Sequence, residues 1–169
     1  MGNLKYVVIA LGALIALVVA SQLQQSGYAT RAYAVFPDNK EAVHSIELWT
    51  KSDTLSLEKQ ETEWSIADHD SLELRPNKMD PFFELVLGVK KETMVSRNSR
   101  NWEKYSVDDS TGTHIRLRDA GGEEMEHAVF GRSSSDWSHN YVRTTGSDEV
   151  FLTNESVIHL LYPRATYWG

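Results

Sequence analysis

The residues of this sequence most suited to metal binding or acid–base chemistry are its histidines. They are His44, His69, His114, His127, His139 and His159. None forms a His-x-x-x-His or His-Glu-x-x-His pattern, so the local signature of a zinc site is absent. His114 and His127 fall on two segments predicted to pair as a hairpin, where they could share one metal ion. Cross-strand neighbours also pack or hydrogen-bond without a metal, and both interpretations stay open.

A serine, an acid and a histidine lie close together, which is the residue set of a nucleophilic hydrolase. The chain offers Ser133, Ser134, Ser135, Asp136 and His139 in one short stretch. Catalytic triads usually draw their members from distant segments and need an oxyanion hole, and the Gly-x-Ser-x-Gly elbow is missing. The sequence therefore favours a solvated loop here.

Two pairs of neighbouring carboxylates, Asp108-Asp109 and Glu123-Glu124, resemble the acids that hydrolases use. Both pairs fall at predicted turns, where acidic residues commonly keep a protein soluble. The Asp-x-Asp-x-Asp-Gly calcium loop is missing at Asp108, as are phosphate loops and dinucleotide fingerprints. We therefore predict no catalytic residue, no bound metal and no cofactor.

One basic cluster interrupts an otherwise acidic sequence and predicts an interface. It comprises Lys90, Lys91, Arg97, Arg100 and Lys104, with Trp102 among them. Arginine and tryptophan together are typical of residues that anchor protein interfaces. These six residues could meet an acidic partner or lipid headgroups. The alternative is a scattered, solvated face.

Charge and cysteine content exclude several classes of function. The formal net charge of the chain is −7, and because residues 1–20 contain only Lys5, the remainder carries 16 bases and 24 acids, a net of −8. Such a domain is a poor nucleic-acid binder, since neutralising phosphates needs clustered Lys and Arg. There is no cysteine, which excludes disulfides, thiolate metal sites, thiol catalysis and covalent haem attachment.

The elements that position these residues are mainly strands: alternating apolar side chains predict antiparallel strands separated by turns. The predicted strands cover residues 43–49, 54–59, 64–66, 94–95, 113–118, 124–130, 140–144 and 149–153. Gly121-Gly122 supplies the turn of one hairpin, the one that carries His114 and His127.

Two stretches change to the period of a helix. Residues 76–89 carry an apolar stripe that predicts a helix from Asp80, with Pro81 at its first position. Residues 156–162 predict a second short helix, capped by Asn154 and ended by Pro163. Strands and helices in this order predict an α+β fold, a mainly antiparallel β domain with two short helices on one face. The two halves could be loose strand–strand–helix repeats.

The N-terminal residues 6–20 are uncharged and apolar, which predicts a membrane anchor. Widened to residues 4–23, a helix would be about 30 Å long, enough to cross the hydrocarbon core. Its small residues, Ala10, Gly12, Ala13 and Ala16, would let another helix pack closely. A signal peptide cleaved after Ala20 or Ala34 is the alternative.

The charges around this segment predict its direction. Lys5 precedes it and no charge follows until Arg31, which places the N-terminus in the cytoplasm and the domain outside. The predicted organisation is an uncleaved anchor over residues 1–23, a connector over 24–42 and an extracytoplasmic domain over 43–169. The predicted location is the bacterial inner membrane, single-pass, with a periplasmic domain.

With these motifs in view, residues 43–169 resemble a bacterial domain-of-unknown-function family, the family numbered 4340. The motifs that carry the resemblance are Ile46-Glu47-Leu48, Leu55-Ser56-Leu57-Glu58-Lys59, Glu63-Trp64-Ser65-Ile66, Tyr105-Ser106-Val107-Asp108, residues 112–119, Val129-Phe130-Gly131, Asn140-Tyr141-Val142-Arg143 and Glu149-Val150-Phe151-Leu152. The resemblance implies a membrane-anchored extracytoplasmic protein, in some members near auxiliary components of gliding-motility-type ABC transporters. It implies no catalytic residues.

Together these observations predict a non-enzymatic accessory subunit. Its domain would dock on and stabilise a larger integral membrane protein complex, either a transporter or an energy-converting or light-harvesting assembly, with the lipid bilayer as a second partner and no nucleic acid. Two alternatives stay open: an auxiliary component of an ABC transporter, and a secreted periplasmic ligand-binding protein or enzyme released by signal cleavage.

Overall fold

The computed structural model describes residues 12–18, 33–69 and 71–169. The chain forms two units, residues 1–31 and residues 32–169. In the first unit, residues 12–18 are helical (α1) and exposed.

The predicted membrane helix is wrong for this structure. Across the described residues, no helix is both long enough and apolar enough to cross a membrane. This finding contradicts the transmembrane helix over residues 4–23 and the single-pass inner-membrane location that depends on it. Residues 4–11 and 19–23 of that prediction lie outside the described residues.

The second unit is built on one antiparallel sheet. Its strands are β1 Tyr33–Ala34, β2 Ser45–Trp49, β3 Thr54–Gln60, β4 Glu63–Ile66, β5 Lys90–Ser96, β6 Thr113–Arg118, β7 Glu124–Arg132, β8 Asn140–Thr144 and β9 Val150–Thr153. Their order across the sheet is β1-β5-β9-β8-β7-β6-β2-β3-β4. The β2–β6 pairing joins the two halves of the chain, with Leu48 opposite Ile115.

Helix is scarce in this unit, so the predicted α+β class is wrong: the fold is mainly an antiparallel β-sheet. The helices are α2, Pro76–Pro81, which continues as a π-helical turn, Phe82–Val86, and α3, Ala165–Trp168. Single 3₁₀ turns occur at Lys40–Ala42, Ser99–Asn101, Glu103–Tyr105 and Ile158–Leu160. The two predicted strand–strand–helix repeats are not seen, because both halves merge into one sheet.

Both predicted helices differ from the observed ones for local reasons. The first begins at Pro76 rather than Asp80, since Pro76 itself fits the first turn. Pro81 then falls inside the helix, and the turn that follows widens to π geometry. The second is shorter than predicted, Ile158–Leu160, because the amides of Val157 and Ile158 donate hydrogen bonds to the Asn140 side chain, at 2.7 and 3.0 Å.

Two apolar cores lie on opposite faces of the sheet. Along β7, Ala128 and Phe130 join the main core, while Val129 joins a small second core with Val107 and Val150. Successive residues of a strand point to opposite faces, so the second core lies across the sheet from the first. The main core also buries Val35 and Phe36, which precede β2 in the chain.

Candidate protein-docking site

The loop between β7 and β8, residues 133–139, contains the serine, acid and histidine that suggested a hydrolase. His139 Nδ1 lies 2.5 Å from Asp136 Oδ2. The Asp136 amide donates a hydrogen bond to the Ser133 hydroxyl at 3.0 Å, and the Ser138 amide donates one to Asp136 Oδ1 at 2.8 Å. No serine in the described residues hydrogen-bonds His139, so these side chains do not assemble a triad and instead fix the loop backbone.

The fixed loop presents Trp137 to solvent. Trp137 is 85% exposed, the largest exposed fraction among the large apolar residues that the structure describes in the second unit. Tryptophan is normally well buried, because its large apolar surface is costly to hydrate. Tryptophan is also among the residue types most enriched at the energetic centres of protein interfaces.

Beside Trp137 lies an open pocket of about 340 Å³ whose walls are mostly apolar. Its lining residues include Ile158 from the 3₁₀ turn and Asn140 from the start of β8. Asn140 is 2% exposed and holds the 3₁₀ turn through the two amide hydrogen bonds described above. The pocket wall is therefore built by a buried side chain and does not depend on a partner.

Negative charge flanks this pocket. The Ser138 amide and His139 together hold the pKa of the Asp136 carboxyl below its usual value. His139 Nε2 lies 3.9 Å from Glu92 Oε2 of β5, so the imidazole stands between two carboxylates. Arg132 also lines the pocket. The site can therefore accept an apolar side chain, with acidic and basic groups both at its border.

The His114–His127 pair does meet across the β6–β7 hairpin. His114 Nδ1 lies 3.1 Å from His127 Nε2. The Trp49 ring stacks on His114 at 4.6 Å between centroids and lies tilted against His127 at 4.9 Å. Burial lowers the pKa of His114, and burial followed by Arg116 lowers that of His127 to about 4. Within the described residues, no three His, Cys, Asp or Glu side chains could hold a metal together.

The paired carboxylates have structural partners. Burial acts to raise the pKa of Asp108, but hydrogen bonds from Ser110 and Thr111 hold it well below its usual range. Asp109 contacts Arg143 Nη2 at 2.6 Å, and Glu124 lies 2.9 Å from Arg116 Nε. Glu123 is exposed at the hairpin turn. These contacts tie the acids to turns and neighbouring cations.

The predicted basic interface is divided by the fold. Lys90 and Lys91 begin β5, whereas Arg97 follows its end, about 20 Å away along the strand. Lys91 Nζ reaches Thr144 Oγ1 at 3.3 Å, and Arg97 lies 3.7 Å from Glu149. Arg100 and Lys104 are exposed on the 3₁₀ turns.

Trp102 of that set packs partly against the second core, and its role as an interface anchor stays a prediction. Its ring lies under the Arg143 guanidinium, 3.9 Å from centroid to Cζ, and its Nε1 donates to the Asp148 carbonyl at 3.3 Å. Among the residues predicted for helix packing, Gly12, Ala13 and Ala16 lie on α1 and are exposed. Ala10 lies outside the described residues.

The sequence predicts a loop over residues 133–136 but does not single out Trp137. The available signal was a tryptophan between Asp136 and His139 in a stretch with no apolar periodicity. Because no strand or helix pattern predicts that this indole faces a core, the sequence indicates an exposed side chain.

The fold and loop define a β-sheet domain that presents an exposed tryptophan on a hydrogen-bonded connection. A family model described as domain of unknown function (DUF4340) matches residues 64–168. This span is more than half of the chain, and the protein belongs to that family, as its sequence motifs indicated. No curated protein and no solved structure matches it.

Proposed function

We propose that this protein is a non-enzymatic docking module, an accessory subunit whose folded unit binds and stabilises a larger protein assembly. The Trp137 loop is the proposed contact. In the complex, the indole packs against the partner, and an apolar side chain of the partner enters the pocket beside Ile158.

The observation that carries this proposal is the exposure of Trp137 on a loop whose conformation is already fixed. Burying an indole removes roughly 200 Å² from water, which at about 25 cal/mol per Å² contributes about 5 kcal/mol. Because Ser133, Asp136 and His139 constrain the loop before binding, little conformational entropy is lost on association. Such preorganised aromatic residues are the usual energetic centres of protein interfaces.

Purification under mild conditions from the native cells tests the proposal. The full-length protein should co-purify with a stoichiometric partner, and Trp137→Ala should reduce the recovered partner at least about tenfold. Trp137→Phe is the matched control, since it keeps an aromatic ring on the same loop and should retain most of the partner. Equal recovery with the Ala variant would contradict the proposal.

A further inference from the structure

The edge of the sheet at β4 offers backbone groups to an additional strand. β4 is the last strand in the order, and in the described residues nothing pairs with its outer side. Ser65 pairs with Glu58, and the Ala67 amide donates to the Ser56 carbonyl at 2.9 Å. Hydrogen-bonded positions alternate in an antiparallel pair, so the amides of Trp64 and Ile66 and the carbonyl of Trp64 face away from β3.

A cleft of about 620 Å³ borders β4. Its lining includes β4 residues 63–65 and, from a later extended segment, residues 72–74. That segment is fixed at both ends, because the Leu72 amide donates to the His69 carbonyl at 2.9 Å and the Arg75 amide to the Trp168 carbonyl at 2.8 Å. The cleft is therefore preformed, which lowers the cost of ordering it around a ligand.

The lining of the cleft specifies the chemistry of its occupant. Apolar side chains come from Trp64, Leu72, Leu74 and Met79. The charged side chains that line it are all acidic: Glu63, Glu73 and Asp80. An occupant that complements this surface carries an apolar side chain flanked by Lys or Arg residues.

We propose that this cleft binds an extended segment of a partner protein, added to β4 as an antiparallel or parallel strand. The segment alternates apolar and basic residues, so that its apolar side chains lie on the Trp64 face of β4 and its bases on the Glu63 face. Glu73 and Asp80 add to the negative charge around the cleft. Strand addition supplies main-chain hydrogen bonds, and the pocket selects the side chains. This surface shares no residue with the Trp137 site and goes beyond the docking function proposed above.

The test is an NMR titration of the full chain with a short peptide of alternating lysine and valine. Binding should slow hydrogen exchange at the outward amides of Trp64 and Ile66. A glutamate–valine peptide and a backbone N-methylated lysine–valine peptide are the controls for charge and for strand addition, and both should bind at least about tenfold more weakly.

Charge-reversal variants complete the test. Glu63→Lys combined with Glu73→Lys should weaken the basic peptide about tenfold or more, whereas Glu123→Lys, an exposed acid at a distant hairpin, should leave its affinity unchanged. Trp137→Ala should also leave the affinity for the basic peptide unchanged. The strand-addition proposal can therefore hold even if the Trp137 docking proposal fails. The proposal is overturned if the basic peptide fails to bind, or if N-methylation or the double variant leaves binding unaltered.

Discussion

At the scale of single residues, the Ser133–Asp136–His139 set shows that the same side chains can define a loop instead of a reaction. Asp136 uses one carboxylate oxygen for the Ser138 amide and the other for His139. The serine hydroxyl is engaged by the Asp136 amide. A nucleophile needs its hydroxyl next to the base, and this hydroxyl is turned to the backbone.

Removing the Asp136 carboxylate should loosen the loop without unfolding the protein. Asp136→Ala loses the hydrogen bonds to Ser138 and His139, so we expect larger ps–ns motion of the Trp137 indole N–H and weaker partner recovery. NMR relaxation of that N–H measures the motion. Ser134→Ala, at an exposed neighbour whose side chain hydrogen-bonds no described residue, is the control, and equal motion in both variants would refute the role of Asp136.

The His114–His127 pair makes stability depend on pH. The pKa of His127 is about 4 in the folded protein and about 6.5 when unfolded. Because the folded pKa is the lower one, this stability is fully present above about pH 6.5 and is lost as the pH falls towards 4. Burial lowers the pKa of His114 too, so both histidines act in the same direction.

Denaturation by urea near pH 7.5 and near pH 5 measures this effect. Between these values we expect the free energy of unfolding to fall by about 2 kcal/mol on account of His127 alone. In the His127→Gln variant the free energy of unfolding should fall by about 2 kcal/mol less over the same pH range than in the original protein. His159→Gln, at an exposed histidine, should behave like the original protein. A His127→Gln variant with an unchanged pH dependence would rule out this account of the pair.

At the scale of elements, a glycine allows the 3₁₀ turns at residues 99–105 to pack on the sheet. A Cβ at Gly131 of β7 would lie 2.1 Å from the Tyr105 carbonyl oxygen and 2.7 Å from that of Ser106. Both obstacles are backbone atoms, which cannot rotate away. Gly131 therefore brings the second core, with Val107 and Val129, against the sheet just before the Trp137 loop begins.

Gly131→Ala should destabilise the protein by roughly 2–3 kcal/mol, because the turn must move away from β7. Thermal unfolding measures the loss. Gly121→Ala is the matched control, since a Cβ there meets only the Asp119 side chain, at 3.3 Å, and the change should be close to neutral. If the two variants unfold at the same temperature, the close packing of the turn on β7 is not important for stability.

The sequence predicts strands well where one face is buried and turns are clear. Thr113–Arg118 and Asn140–Thr144 have the predicted bounds, because alternation and flanking turn residues agree there. β5 is longer than predicted: only residues 94–95 showed a pattern, and its partners β1 and β9 come from distant parts of the chain. Such long-range pairing leaves no local signal.

The errors have similar causes. Residues 156–162 have helical periodicity, but a buried side chain from β8, Asn140, takes two of the amides and limits the helix to one turn. The apolar residues 6–20 suggested a membrane span by composition alone, but no helix among the described residues is long and apolar enough to cross a membrane.

At the scale of the whole molecule, one nine-stranded sheet carries two separate surfaces. The Trp137 loop lies at the β7–β8 connection, and the acidic cleft borders β4 at the far edge of the strand order. The net charge of −7 favours partners with basic surfaces and would speed their association at low salt. Two surfaces on one domain suit a subunit that joins components of an assembly.

Photo-cross-linking from position 137 in living cells tests the central claim most directly. A photoreactive phenylalanine analogue replaces Trp137 in one strain and Glu123, an exposed residue on another hairpin, in a control strain. The account predicts one discrete cross-linked partner from position 137 and none from position 123. Absence of a cross-link from position 137, with the protein fully expressed and folded, would contradict the claim that this loop is a docking site.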